Sequence, residues 1–427
     1  MAFDWLHPRD QLVRIMQRIY DGGMTTLSGG NLSIRSANGD VWITPAAVDK
    51  GSLGRDDIVC VHPDGSVTGM HRPSSELPFH TAIYRRRPDL NAVVHAHPPA
   101  LVAFSIAREV PPTAIFPQAE MVAGNVGYAP YALPGSEALG ASIATAFEEH
   151  DAVLLENHGV ATGGTDLLKA FQRLETLDVC ARTVIRANRL GTIRTLSPVQ
   201  VAAQESTPHR LPEFTHGERS ADELEARREV VRFMRRACAR QLMISTEGVM
   251  SARVGADAFV ITPTGFDRPS VDVEDLVLVS GGMRESGKAP SRSVALHAAI
   301  YEARSDVNAV MTAQPPAALA FAVTRTAFDT KTIPESYILL RDVPQVPFGA
   351  QYEAPSEIAE RVSNRHPVIL IENDCVLTVG GSVLEAFDRL EVAEFSAAAL
   401  LDTAAIGPLV PIDDDEIRAL ERKFLGA

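Results

Sequence analysis

Apolar positions follow two rhythms, and both recur in each half of the chain. Short β-branched runs such as "VWITP" from Val41 and "DIVCVHP" from Asp57 read as strands. Leu77–Arg86 carries the helical rhythm and must stop before Pro88, because the residue ahead of a proline is pushed out of the helical region. An apolar strand from Leu90 to His95 follows, then "AVLLEN" as another strand, then a long amphipathic helix from Asp166 to Asn188. Helices and strands alternate, some strands being adjacent in sequence, which predicts an α/β sandwich.

The same order of elements returns in the second half. "VWITPAA" from Val41 matches "FVITPTG" from Phe259, and "RDDIV" matches "VEDLV", both at an offset of 218. "HTAIYRRRPDLNAVV" matches "HAAIYEARSDVNAVM" at an offset of 217. "VLLENHGVATGG" matches "ILIENDCVLTVGG", and "LLKAFQRLETLDVCA" matches "VLEAFDRLEVAEFSA". A repeat of about half the chain means two whole domains rather than a solenoid. Residues 197–219 are polar, carry three prolines and lack periodicity, so they read as a linker. Ser220-Ala-Asp-Glu223 then reads as a capping box that starts a helix. The expected domains are 1–196 and 220–427.

The copies differ where chemistry would sit. "NAVVHAHPPALVAF" from Asn91 returns as "NAVMTAQPPAALAF" from Asn308, so that His95 becomes Thr312 and His97 becomes Gln314. Two residues apart on a strand, both imidazoles face one way and can share a metal ion. His158 in "ENHG" becomes Asp374 in "ENDC" and supplies a third candidate ligand. Three histidines with an open position suit zinc best, with manganese, cobalt or iron as alternatives. Glu76 in "PSSE" becomes Ser293, and beside a metal a carboxylate can move a proton. His80 and Glu156 survive in the second copy as His297 and Glu372, which marks them as structural. Gly30 and Asn31, following Ser28 and Gly29, form a turn whose N–H groups can face an anion. Ser74 and Ser75 sit at a helix start and can add hydroxyls.

Composition narrows the class. The chain has 427 residues, 45% hydrophobic and 22% charged, as an ordinary globular protein has. A net charge of -14 argues against a general nucleic-acid binder. Four scattered cysteines with no CxxC spacing argue against a disulfide frame or a cysteine zinc site. The N-terminus has no apolar signal core and no apolar run is long enough to span a bilayer, so no membrane partner and a cytoplasmic location are expected.

Together, Gly30-Asn31-Leu32-Ser33, Ile43-Thr44-Pro45, Ser74-Ser75-Glu76, His95-Ala96-His97 and His158-Gly159 resemble the class II aldolase/adducin family. The resemblance implies two tandem α/β/α sandwiches, each around a largely antiparallel sheet. It implies a zinc-type ion on His95, His97 and His158, Glu76 as acid/base, and Ser28, Asn31, Ser74 and Ser75 around an anion. Ring tetramers in the family imply a homodimer here, giving a pseudo-tetramer of domains. A small-molecule substrate follows, and the first reading is aldol cleavage of a short sugar or sugar phosphate through an enediolate. Decarboxylation of a keto or sugar acid is the second reading, and a non-catalytic adducin-like scaffold the third. The second domain is expected to be structural and to bind no metal. Two departures stand out: Ala46-Ala47 replaces the family's Thr-Gly after I-T-P, and Phe116 falls where the family's aldolases use a tyrosine.

Overall fold

Strands β1 (Asn31–Arg35), β2 (Val41–Ile43), β3 (Val59–Val61), β4 (Val67–Thr68), β5 (Ala92–Ala96), β6 (Val126–Ala129), β7 (Ala152–Leu155) and β8 (Gly159–Gly164) form one sheet. Their spatial order is β4-β3-β2-β1-β5-β8-β7-β6. Every pairing in it is antiparallel except β6 with β7. Hydrophobic runs too short for helices thus pair laterally, and every residue of β5, β7 and β8 is buried. The computed structural model describes residues 3–205 and 211–426.

The second half repeats this sheet from β9 (Glu213–Phe214), β10 (Val249–Arg253), β11 (Ala258–Ile261), β12 (Val277–Ser280), β13 (Met283–Glu285), β14 (Ala309–Ala313), β15 (Gln345–Val346), β16 (Val368–Ile371) and β17 (Cys375–Gly380). Its order, β15-β16-β17-β14-β10-β11-β12-β13-β9, is the first sheet's order with β9 added at one edge. The expected tandem pair of α/β domains around largely antiparallel sheets is therefore present. The chain divides into two compact units, residues 1–113 with 118–181, and residues 114–117 with 182–427.

In the first unit, helices Leu77–Arg86 and Glu137–Ala146 supply Phe79, Ile83 and Ile143 to a core shared with Val93, Val153 and Ala161 of the sheet. Each such buried side chain contributes roughly 1.5–3 kcal/mol by leaving water. The helix from Leu77 has the range its rhythm predicts, and Arg87 after it donates to Asp89 and Asp151. The long amphipathic stretch is a helix from Leu167 to Ala187.

Three local expectations are modified. The strand before the histidine pair is Ala92–Ala96, so His97 lies one residue past its end. Residues 197–219 hold a helix, Pro198–Glu205, and strand β9, while 206–210 lie outside the described residues. Ser220 does cap the helix Ala221–Ala239 by accepting from Glu223 N at 3.1 Å. The capping box is only half made, because the Glu223 carboxylate is drawn to Arg227 at 2.7 Å and to His216 at 3.0 Å. A buried cation is a stronger partner than one backbone N–H. All four cysteines are free, and no described helix is long and apolar enough to cross a membrane.

Candidate metal centre

Sheet register assembles the site. β1 and β5 place Asn31 opposite His95, and β5 and β8 place Ala96 opposite Val160. The turn from β7 to β8 contains Asn157 in the left-handed region at φ 53, which asparagine tolerates, and it delivers His158 to the same end of β5. One ring nitrogen from each of His95, His97 and His158 lies within 4.8 Å of the others. His95 Nε2 and His97 Nε2 stand 3.0 Å apart. Ligands at about 2.1 Å from a tetrahedral zinc stand roughly 3.4 Å from one another, so the cluster needs little adjustment to hold one.

His95 is fully buried and its Nδ1 donates to Val160 O at 2.9 Å, leaving the Nε2 lone pair for the shared centre. Burial lowers the pKa of both His95 and His97, so the rings stay neutral and able to ligate. These donors fit a zinc-type ion. Glu76 precedes the Leu77–Arg86 helix and makes no capping bond, so its carboxylate turns into the site. Its oxygens lie 3.3 Å from His95 Nε2 and 3.5 Å from His158 Nε2.

The other sequence candidates are placed as follows. Asn31 donates through Nδ2 to Glu76 Oε2 at 2.7 Å, and its Oδ1 meets His80, so both ends of its amide are engaged inside the protein. Ser74 Oγ accepts from Glu76 N at 3.2 Å, which leaves its own hydrogen to donate. Ser28 and Ser75 are exposed. Gly30, at φ 69, has no room for a side chain, since a Cβ would lie 2.7 Å from His95 O. Ala47 is a non-glycine at φ 56, whereas its counterpart Gly265 adopts φ 74 without strain. Glu156 pairs with Arg108 at 2.9 Å, and Glu372 repeats the pair with Arg325 at 2.8 Å.

Gly29 and Gly159 are replaced in the second copy along with the histidines, a loss that aligning the two halves residue by residue exposes. A Cβ on Gly29 would approach His97 Nδ1 to 2.8 Å, and one on Gly159 would approach His97 Cδ2 to 2.6 Å. In the second copy the corresponding residues are Glu247 and Cys375. Among the described residues the second unit has no group of three His, Cys, Asp or Glu ligands within similar reach. A further grouping in the first unit, Asp40, Cys60 and His62, is satisfied internally. His62 spends both ring nitrogens on Asp40 and Thr68, and burial raises the Cys60 thiol to about 11.

Asp374, at the position of His158, is buried and its carboxyl is raised to about 7 by that burial. An unfolded carboxyl titrates at about 3.9. Between those values the folded chain binds more protons than the unfolded one, so stability falls as pH rises. Asp374→Asn should flatten that part of the stability curve and stabilise the protein near pH 8 by up to a few kcal/mol, at about 1.4 kcal/mol per pKa unit. Urea midpoints near pH 5 and near pH 8 check this. Unchanged pH dependence in the variant would assign the effect to another group.

The fold is thus present twice, and among the described residues a candidate metal-binding triad of histidines occurs in the first copy alone. The chain belongs to the class II aldolase and adducin N-terminal domain family, which matches residues 10–185 and again residues 228–401. It is 34% identical over 180 residues to an L-fuculose phosphate aldolase of Methanococcus maripaludis, covering 42% of this chain and 97% of that protein. It is 31% identical over 181 residues to a 3-oxo-tetronate 4-phosphate decarboxylase of Haemophilus influenzae, covering 42% and 86%. A solved L-fuculose 1-phosphate aldolase is 30% identical with a TM-score of 0.43, covering 46% of this chain and 92% of that one.

Proposed function

We propose that the first unit is a metal-dependent carbon–carbon lyase working through an enediolate. What supports the reading is one observation: three imidazoles converge within 4.8 Å beside a carboxylate 3.3 Å from one of them. His95, His97 and His158 would hold zinc or a similar divalent ion. When bound, such an ion supplies Lewis acidity to a carbonyl and its neighbouring hydroxyl. Glu76 moves the proton: Asn31 occupies Oε2, and Oε1 is left to take it or return it. Ser28, Gly30, Ser74 and Ser75 are assigned to an anionic end of the substrate, with Asn31 holding the base. The second unit is assigned a structural role. Two units per chain make a homodimer a four-unit assembly, as ring tetramers of the family are.

Aldol cleavage and decarboxylation meet at one species. A ketose 1-phosphate broken between its third and fourth carbons leaves the three-carbon enediolate of dihydroxyacetone phosphate. A 3-oxo-tetronate 4-phosphate that loses carbon dioxide leaves the same enediolate. Cleavage of a sugar phosphate is the first reading. Phe116 favours the second, because it offers no hydroxyl for the aldehyde oxygen that only cleavage must handle.

The test is dihydroxyacetone phosphate in D2O with the metal-loaded protein, followed by proton NMR. Exchange of a hydroxymethyl proton supports enediolate chemistry. Release of an aldehyde from L-fuculose 1-phosphate, or of carbon dioxide from 3-oxo-tetronate 4-phosphate, then separates the two readings. No exchange with the ion bound would move the first unit to the scaffold reading.

A further inference from the structure

A buried hydrogen-bonded chain runs from Tyr84 to Glu76. Tyr84 OH lies 2.7 Å from Ser33 Oγ, and Ser33 Oγ lies 2.7 Å from His80 Nδ1. His80 Nε2 meets Asn31 Oδ1 at 2.5 Å, and Asn31 Nδ2 meets Glu76 Oε2 at 2.7 Å. The donor directions follow from the Asn31 amide, whose NH2 donates to Glu76 Oε2 and whose carbonyl oxygen is thereby turned to His80. His80 therefore carries its hydrogen on Nε2. Burial keeps that ring neutral, with a pKa near 3, so Nδ1 accepts the Ser33 hydroxyl. Ser33 Oγ in turn accepts from Tyr84. Each donor polarises the next, and all point toward one carboxylate oxygen.

The second copy is a control built into the same chain. Ser251 Oγ lies 2.7 Å from His297 Nδ1 and 2.7 Å from Tyr301 OH, so the start of the chain is kept. Asn31 has become Val249 and Glu76 has become Ser293. His297 Nε2 is left buried with no hydrogen-bond partner. The second unit keeps the same sheet order around that histidine. Packing alone therefore does not explain the Asn31 link in the first copy.

We infer that His80 and Asn31 are positioning residues that hold Glu76 by Oε2 and aim Oε1 at the reacting proton. This rests on the reading of Glu76 as the proton-moving group. It changes the standing of His80, whose survival in the second copy had marked it as structural only.

The test is the deuterium exchange of dihydroxyacetone phosphate in five variants with the ion bound. Asn31→Val copies the second unit's own solution and should fold as that unit does. Its maximal exchange rate should fall about ten- to a hundredfold, with ion content and half-saturating concentration unchanged. His80→Gln keeps a donor and loses the ring, while His80→Phe keeps the ring volume and loses the donor. The relay requires His80→Gln to be the faster of the two, and a packing role requires the reverse. His297→Phe should leave the rate unchanged. Asn31→Val at the wild-type rate, or His80→Phe faster than His80→Gln, overturns the relay. If Glu76→Gln is itself as fast as wild type, the reading of Glu76 fails instead. Nitrogen-resolved NMR of the metal-free protein gives a second readout that needs no turnover. The His80 ring should show an exchange-protected hydrogen on Nε2, and one on Nδ1 would refute the donor direction.

Discussion

His95→Ala/His97→Ala should lose the divalent ion proposed for the first unit, from about one ion per chain to none. His95 and His97 supply two of the three nitrogens gathered within 4.8 Å, and His158 alone offers one neutral nitrogen to a strongly hydrated cation. Removing two ligands leaves nothing that competes with water. Under the proposed mechanism enediolate formation would then lose several kcal/mol of charge stabilisation, so deuterium exchange should drop by at least about a thousandfold. The count in the wild type matters as much as the loss. Thr312, Gln314 and Asp374 replace the three histidines in the second unit and offer no nitrogen donor set. Metal analysis finding two ions per chain would mean that the second unit recruits other ligands, and the account of one complete and one altered site would fail. No ion after reconstitution would remove the catalytic reading of the first unit.

Glu76→Gln should keep the ion and lose the proton transfer. The substitution preserves shape, and the new amide oxygen can still accept from Asn31 Nδ2, which now bonds Glu76 at 2.7 Å. No basic oxygen remains to take a proton. General acid–base groups contribute about a hundred- to ten-thousandfold, or roughly 3–5 kcal/mol of barrier. Exchange should slow by that amount at unchanged metal content. Loss of the metal along with the rate would make Glu76 a ligand, which the distances of 3.3 and 3.5 Å to two imidazoles leave room to test.

Much of the site was legible because the chain holds two versions of itself. His95, His97, His158 and Glu76 stood out by disappearing together against a retained frame, and the first three converge in space. Gly29 and Gly159 are lost as well, to Glu247 and Cys375; in the first unit a Cβ at either would crowd the His97 ring, and at Gly159 Ala96 O too. Asn31, expected in an anion loop, also has its side-chain amide bonded to Glu76 and His80, contacts that glycine spacing along the chain does not reveal. The survival of His80 as His297 marks a structural residue, but identity alone does not show that His80 Nε2 meets Asn31 while His297 Nε2 meets nothing.

The sequence by itself determined the duplication, the helix from Leu77 to Arg86, the long helix near 167–187 and the identity of the candidate ligands. Those depend on local periodicity, proline placement and direct comparison of aligned residues, all of which lie along the chain. Only the tertiary structure decided which atoms meet. Asn31 reaches Glu76 across 45 residues, and His158 reaches the His95 pair through the turn between β7 and β8. Such contacts are set by strand register and by the sheet order, in which β1, β5 and β8 lie side by side. A one-residue slip would turn each side chain to the opposite face, and a linear pattern cannot report how separate strands align.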